Sequence, residues 1–291
     1  MKKIRPALLS TLLLLAALTA GTAEPAQAPK PLKVIAYNVL IGFNHGTRLK
    51  ETAEWLTRQD PDVILFQEIA RQDSGSFAEM AKLWGHHYAA VAKPGTDYSI
   101  ALTSKRPFQM IETRTDGFHH GYVLAKIDGI YYMSIHLSPF KYKVRIGETA
   151  LYLERLKPLL DAGEKVIVMG DFNNPSPYDK AKYDQDEAML AASRKTDAKF
   201  EHIENLNNGN FDYRATQQML DGGLEEVCYF YMKNHGITPR VGRRIDLAFV
   251  SRNLVPAVEK AYIDTSDYDL FKSLSDHFPV ILTLERKELA K

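Results

Sequence analysis

Lys165–Val166–Ile167–Val168–Met169–Gly170–Asp171–Phe172–Asn173 is the stretch from which the rest of the chain is best read. Lys165 to Met169 (KVIVM) has the composition of a buried strand. It ends abruptly on a glycine, an acid and an amide, which reads plainly as a polar turn. The same plan recurs along the chain. Asn38 closes the apolar run KVIAYN, and Glu68 follows DVILFQ. His136 lies near the end of residues 130–137, Asp246 follows Arg244-Ile245, and Asp276-His277 precedes PVILTL. Six strand ends carrying such groups suggest one cleft where the ends meet.

Each group also has an ordinary reading. Glu68 could be an exposed strand-end carboxylate, Asn38 a turn cap and His136 a satisfied core histidine. Asp276-His277 could cap the last strand. Asp246 is different, because an unpaired charge inside an apolar strand is costly. It needs a partner, and a histidine would serve.

Outward from these ends, strands are expected over residues 33–39, 62–67, 98–103, 123–127, 130–137, 165–169, 225–232, 245–251 and 279–284. Asp128-Gly129 marks a hairpin between the fourth and fifth. Helices are expected over 47–59, where Leu49, Ala53 and Leu56 share a face, and over 145–160, with Pro158 a candidate early stop. Residues 174–243 read as a polar insertion of helices and loops, with a helix near 184–194. Strands alternating with helices point to a layered α/β fold rather than a bundle or barrel.

The chain has 291 residues, 45% hydrophobic and 25% charged, ordinary values for a globular protein. Lys2, Lys3 and Arg5 precede an apolar run over 7–21 and small residues at Gly21-Thr22-Ala23, the three parts of a secretory leader. The run is short for a membrane span, which needs about 20 apolar residues. Residues 1–23 are therefore expected to be a cleaved signal peptide, 24–31 a linker and 32–291 a single domain. The mature protein is expected to be secreted or periplasmic, without a stable membrane anchor, and monomeric. Ala26-Gln27-Ala28 offers a second cleavage site. Cleavage takes formal charge from +1 to −2, because Lys2, Lys3 and Arg5 leave with the leader. That is not the strong basic field of a tight non-specific nucleic-acid binder. A local patch at Arg240, Arg243 and Arg244 remains a candidate substrate contact. The single cysteine, Cys228, excludes an internal disulfide and reads as a core thiol in an aromatic strand.

Taken together, Ala36-Tyr37-Asn38, Leu65-Phe66-Gln67-Glu68, Ser134-Ile135-His136-Leu137, Gly170-Asp171-Phe172-Asn173, Arg244-Ile245-Asp246-Leu247 and Ser275-Asp276-His277-Phe278-Pro279 resemble the motifs of the endonuclease/exonuclease/phosphatase superfamily, the deoxyribonuclease I-like hydrolases. They occur in the family's order across residues 32–286. The resemblance implies a four-layer α/β/β/α sandwich of two mixed sheets flanked by helices. It implies a Mg²⁺-dependent hydrolase of phosphoric esters, with Mn²⁺ or Ca²⁺ as other metals. A cation offsets the anionic oxygens that shield such an ester from attack, and carboxylate and amide oxygens suit it. By the resemblance, Glu68, Asn38 and Asp276 would hold the metal. Asp171 would orient the attacking water and Asn173 a phosphate oxygen. His277, fixed by Asp246, would be a base or a charge-stabilising donor. His136 would stabilise the phosphate or protonate the leaving oxygen.

The chain departs from the pattern at Tyr122, where many relatives carry an arginine, and Arg114 is the candidate replacement. Asn174-Pro175-Ser176 follows Gly-Asp-Phe-Asn, unlike inositol-phosphate phosphatases. A sphingomyelinase should expose an aromatic hairpin, whereas Tyr229, Phe230 and Tyr231 read as core. The leading expectation is a phosphodiesterase of nuclease type acting on a phosphate ester, with nucleic acid as the candidate partner. A lipid phosphodiesterase, a phosphomonoesterase and an inactive binding protein on the same scaffold are the alternatives.

Overall fold

A computed structural model describes residues 30–231, 237–238 and 240–289. The expected leader and all but the last two residues of the linker lie outside them. The first sheet takes β1 (Leu32–Asn38), β2 (Val63–Gln67), β3 (Tyr88–Ala92) and β4 (Ile100–Ser104). The second takes β5 (Gln109–Arg114), β6 (Tyr122–Ile127), β7 (Ile130–His136) and β8 (Lys165–Asp171). After a two-residue pair, β9 (Leu206–Asn207) and β10 (Asn210–Phe211), the chain adds β11 (Leu224–Glu226) and β12 (Asp246–Ser251) to the second sheet. It then adds β13 (Val258–Ile263) and β14 (Val280–Leu284) to the first. The resulting orders are β13-β14-β1-β2-β4-β3 and β11-β12-β8-β7-β6-β5. The pairs β1–β2 and β7–β8 are parallel and the rest antiparallel, so both sheets are mixed.

Helices cover the outer faces, as expected. The main ones are α1 (Leu49–Gln59), α2 (Ser74–Ala81) and α3 (Tyr142–Asp161). The insertion carries α4 (Lys180–Tyr183), α5 (Glu187–Lys199) and α6 (Arg214–Asp221); α7 (Cys228–Tyr231), α8 (Tyr268–Leu274) and α9 (Arg286–Leu289) follow. The inner faces of the sheets share one core, including Ala36, Leu65, Ala125, Ile167, Met169 and Ala248. A second core lies under α3 and α6, with Tyr152, Leu156 and Met219 against Leu124, Met133 and Phe249. Gln67 and Ser134 bond across the two sheets at 3.3 Å.

Three expectations need correction. Helix α3 runs through Pro158 to Asp161. Pro158 and Glu154 are both exposed, so water can satisfy the carbonyl that the proline leaves unbonded. The strand expected over 225–232 stops at Glu226, and Cys228–Tyr231 form a helical turn instead. Val227 and Cys228 are buried and finish that strand's core contribution. The aromatic residues beyond them are not core: Phe230 is 60% and Tyr231 39% exposed. Met232 lies outside the described residues. Cys228 itself is free and buried, as expected. Strands β3, β5 and β13, and the short β9–β10 pair within the insertion, lie outside the expected strands. Among the described residues, no helix is long and apolar enough to cross a membrane.

Candidate active site

Strand register assembles the site. His136 and Asp171 are direct partners across β7 and β8, and Asp171 and Asp246 across β8 and β12. Three reactive side chains therefore stand in one row on the second sheet. Asn38 and Gln67 are partners on the first sheet, which puts Glu68 just past the same end. Asp276-His277, before β14, complete the ring. The turn after β8 depends on Gly170, whose φ is +149°. A Cβ there would lie 2.1 Å from the Ile135 carbonyl oxygen, so only glycine lets β8 approach β7 this closely.

The side chains form one connected set. Asn38 Nδ2 donates to Glu68 Oε1 at 3.1 Å and to Asp171 Oδ2 at 3.2 Å. Asn38 Oδ1 accepts the Leu40 N–H, and Glu68 Oε2 the Ile41 N–H, both at 3.1 Å. These donors sit on a left-handed turn in which Leu40 to His45 all have positive φ. Such backbone costs about 1–2 kcal/mol per non-glycine residue and persists only where its surroundings hold it. Here Asn38 and Glu68 hold it, and Glu68 and Asn173 themselves have positive φ. Asn173 donates its N–H to Asp171 Oδ1 at 2.8 Å and its amide to the Leu137 carbonyl at 3.0 Å.

His136 Nε2 lies 3.3 Å from Asp171 Oδ2, and His277 Nε2 lies 3.7 Å from the same oxygen. His277 Nδ1 bonds both Asp246 oxygens at 2.9 and 3.0 Å, giving Asp246 the histidine partner it required. Thr238 donates its hydroxyl to Asp246 Oδ2. Burial works against a charge on His277, but Asp246 and Asp171 outweigh it and raise the imidazole to about 10. Burial likewise opposes the Asp171 charge, yet His277, the bond from His136 and the Asn173 N–H hold it down at about 2. Burial pushes Asp246 upward, against the pull of His277. The two carboxylates on either side of His277 favour its charged form.

Asp171, Asp246 and His277 offer atoms all within 4.8 Å of one another, the spacing of a metal centre. His277 is committed to carboxylates on both sides, Asp246 at Nδ1 and Asp171 beyond Nε2, which argues against that use. The oxygen-rich side of the site fits a metal better. Glu68 is half-buried, and its recorded partners are an amide and a backbone N–H rather than a cation. With the Asn38 amide oxygen and the Asp276 carboxylate it makes a donor set suited to a hard divalent ion. Asp276 Oδ2 meets Arg240 at 3.1 Å, and Oδ1 lies 4.0 Å from His277 Nε2.

The arginine patch divides. Arg240 is exposed at the rim, and Arg243 is half-buried with its guanidinium 4.5 Å from the Phe211 ring centre. Arg244 does not face substrate, contrary to expectation. It is fully buried, bonding Asp179 through Nε at 2.8 Å and Glu226 through Nη1 and Nη2 at 3.1 and 2.8 Å. Arg114 is held over Phe118 and bonds the Asp116 carbonyl. Three neighbours escaped the sequence reading. His120 stacks on His136 with ring centres 4.0 Å apart. Arg145, buried, joins Ser138, Asn174 and Asn205. Thr238 steadies Asp246. His119-His120 sit in the bend before Gly121 and β6, next to the position at which many relatives carry an arginine, and two adjacent histidines there are a readable signal.

Comparison with solved structures agrees with this architecture. An AP endonuclease from Archaeoglobus fulgidus is 20% identical, with a TM-score of 0.60 over 87% of this chain and 99% of that one. The 3′-5′ exonuclease NExo from Neisseria meningitidis is 19% identical, with a TM-score of 0.64 over 87% and 100%. A NExo 3′ phosphatase from Neisseria bound to a product DNA hairpin gives 19% and 0.64 over 87% and 99%. Identities at this level establish the fold alone. No curated protein matches the sequence. The family profile for endonucleases, exonucleases and phosphatases matches residues 35–277, which span every group of the site. The chain therefore belongs to the Endonuclease/Exonuclease/phosphatase family of phosphoesterase hydrolases.

Proposed function

We propose that the chain is an exported, divalent-metal-dependent phosphodiesterase of nuclease type. The carrying observation is the unbroken chain of contacts from Glu68 through Asn38 and Asp171 to His277 and Asp246. Glu68 and Asp276 would hold a Mg²⁺ ion, with Asn38 bracing Glu68 and offering its amide oxygen. The ion supplies charge that offsets the phosphate oxygens. Asp171, kept ionised, accepts a hydrogen bond from the attacking water and so orients it. Asn173 donates toward a phosphate oxygen. His136 bonds Asp171 and borders the phosphate. The cationic form makes His277 a charge-stabilising donor rather than a base. As the water oxygen bonds to phosphorus its proton passes to Asp171, the bond from phosphorus to the leaving oxygen breaks, and His277 gives that oxygen its proton while Asp246 keeps the ring in place.

Purified mature protein should hydrolyse bis-p-nitrophenyl phosphate or a nucleic acid with Mg²⁺ and stop on addition of EDTA. Glu68→Ala and His277→Ala should each lower the rate on the order of a hundredfold or more, with unchanged circular dichroism. Absence of metal-dependent turnover on plasmid DNA, RNA, sphingomyelin and bis-p-nitrophenyl phosphate would sink the proposal. A lipid phosphodiesterase is the second reading, favoured by the exposure of Phe230 and Tyr231. Release of phosphocholine from sphingomyelin, without cleavage of DNA or RNA, would select it.

A further inference from the structure

Beside His277 and Asn173 lies a cavity of about 340 Å³ that the insertion helps to build. That size is at the small end of the range for ligand-enclosing sites. Phe140 enters from the loop after β7, Asn205 and Phe211 from the insertion, and Arg240 and Arg243 from the segment before β12. Most polar groups of the wall are already committed. Arg145 is used by Asn174, Ser138 and Asn205, and Asp212 is paired with Arg214 at 2.6 Å. Arg243 is less committed: it bonds Ser193 Oγ at 3.2 Å, and its Nε has no protein acceptor among the described residues. Its guanidinium and the Phe211 ring are in cation–π contact inside the wall.

A wall of this kind fits a flat ring with apolar faces and hydrogen-bond acceptors at its edge. His277 and Asn173 border the same cavity, so the ring would belong to the ester whose phosphate they meet. Outside the cavity the ring contacts continue, from Phe140 to His202 at 5.3 Å and on to Phe200 at 5.9 Å. His202 is exposed and Phe200 is 38% exposed, so this path is open to further flat groups.

We propose that the cavity takes one unpaired nucleobase adjacent to the scissile phosphate. The substrate is then single-stranded nucleic acid or an unpaired end, not the interior of a duplex. This rests on the nuclease-type reading above. A base inside a duplex is paired and stacked, and reaches such a cavity only by leaving the helix. An unpaired base stacks on aromatic and guanidinium surfaces without that cost.

The test compares a short single-stranded oligodeoxynucleotide with versions lacking the base on one side or the other of the cleaved bond. A duplex of the same sequence and bis-p-nitrophenyl phosphate complete the set. The intact strand should be cleaved with a kcat/KM on the order of tenfold above one of the base-free versions and above the duplex, mainly through KM. In Arg243→Met that ratio should fall toward one. Phe211→Ala should do the same, and because Phe211 is buried its melting curve is recorded alongside. Equal cleavage of intact and base-free strands overturns the cavity proposal and leaves the hydrolase reading standing. A ratio that persists in a folded Arg243→Met protein places the base elsewhere and also overturns it. No metal-dependent cleavage of any substrate overturns both readings.

Discussion

At the scale of single residues, the site depends on who holds whom. Asp246 touches His277, and His277 approaches the carboxylate that would orient water. Asp246→Asn keeps the size of the side chain but removes the charge that fixes the ring and its protonation. The expected outcome is a fall in kcat on the order of a thousandfold, with KM moved far less. Steady-state hydrolysis of bis-p-nitrophenyl phosphate checks this, and a change below about threefold would remove Asp246 from the mechanism. Asp246 was legible in the sequence because a carboxylate in an apolar strand demands a partner, and the others only through their recurrence at strand ends and the family motifs they compose. Their mutual contacts were not legible. Nothing in the order of letters says that Asn38 spans Glu68 and Asp171, since that contact crosses from one sheet to the other.

At the scale of elements, Arg244 shows where composition misleads. Three arginines in five residues look like a surface patch, yet one faces inward. It ties Asp179 of the insertion and Glu226 of β11 to the chain just before β12. Arg244→Met would strand two buried carboxylates and is expected to cost about 3–5 kcal/mol. Urea unfolding checks this; a loss under about 1 kcal/mol would show that the pair is hydrated and weak. The same limit of local reading explains the missed strands. β5 is largely exposed and β13 alternates irregularly, with a register shift between Val258 and Lys260, so neither shows a clean period. The run Val227 to Tyr231 carries strong strand composition. The pairing of β11 with β12 nevertheless ends at Glu226, and the aromatics turn away as a helix. Apolar strands between two layers, such as β1, β2 and β8, were legible because burial on both faces leaves one composition.

At the scale of the whole molecule, a buried histidine far from the site should add to acid sensitivity. His86 is buried; its rings bond the Thr103 hydroxyl and the Pro61 carbonyl, both at 2.9 Å. Burial, the largest cause, lowers it to about 4. The folded protein thus keeps His86 neutral where the unfolded chain, near its usual 6.5, takes up a proton. Stability is full above about pH 6.5 and declines as pH falls toward 4, by up to about 3 kcal/mol from this group. Urea midpoints between pH 4.5 and 7.5 should show that slope in the wild type and a shallower one in His86→Gln. Identical slopes would assign acid sensitivity to other groups. The row of His136, Asp171 and Asp246 across three neighbouring strands has a consequence of another kind. Slipping β12 by one position against β8 would set Ile245 or Leu247 opposite Asp171 and turn Asp246 to the other face. Such a molecule could keep its sheet, its spectrum and its compactness while losing all turnover. Specific activity is therefore a gauge of strand alignment, and a preparation that looks folded but works poorly would be reporting an error in counting rather than in chemistry.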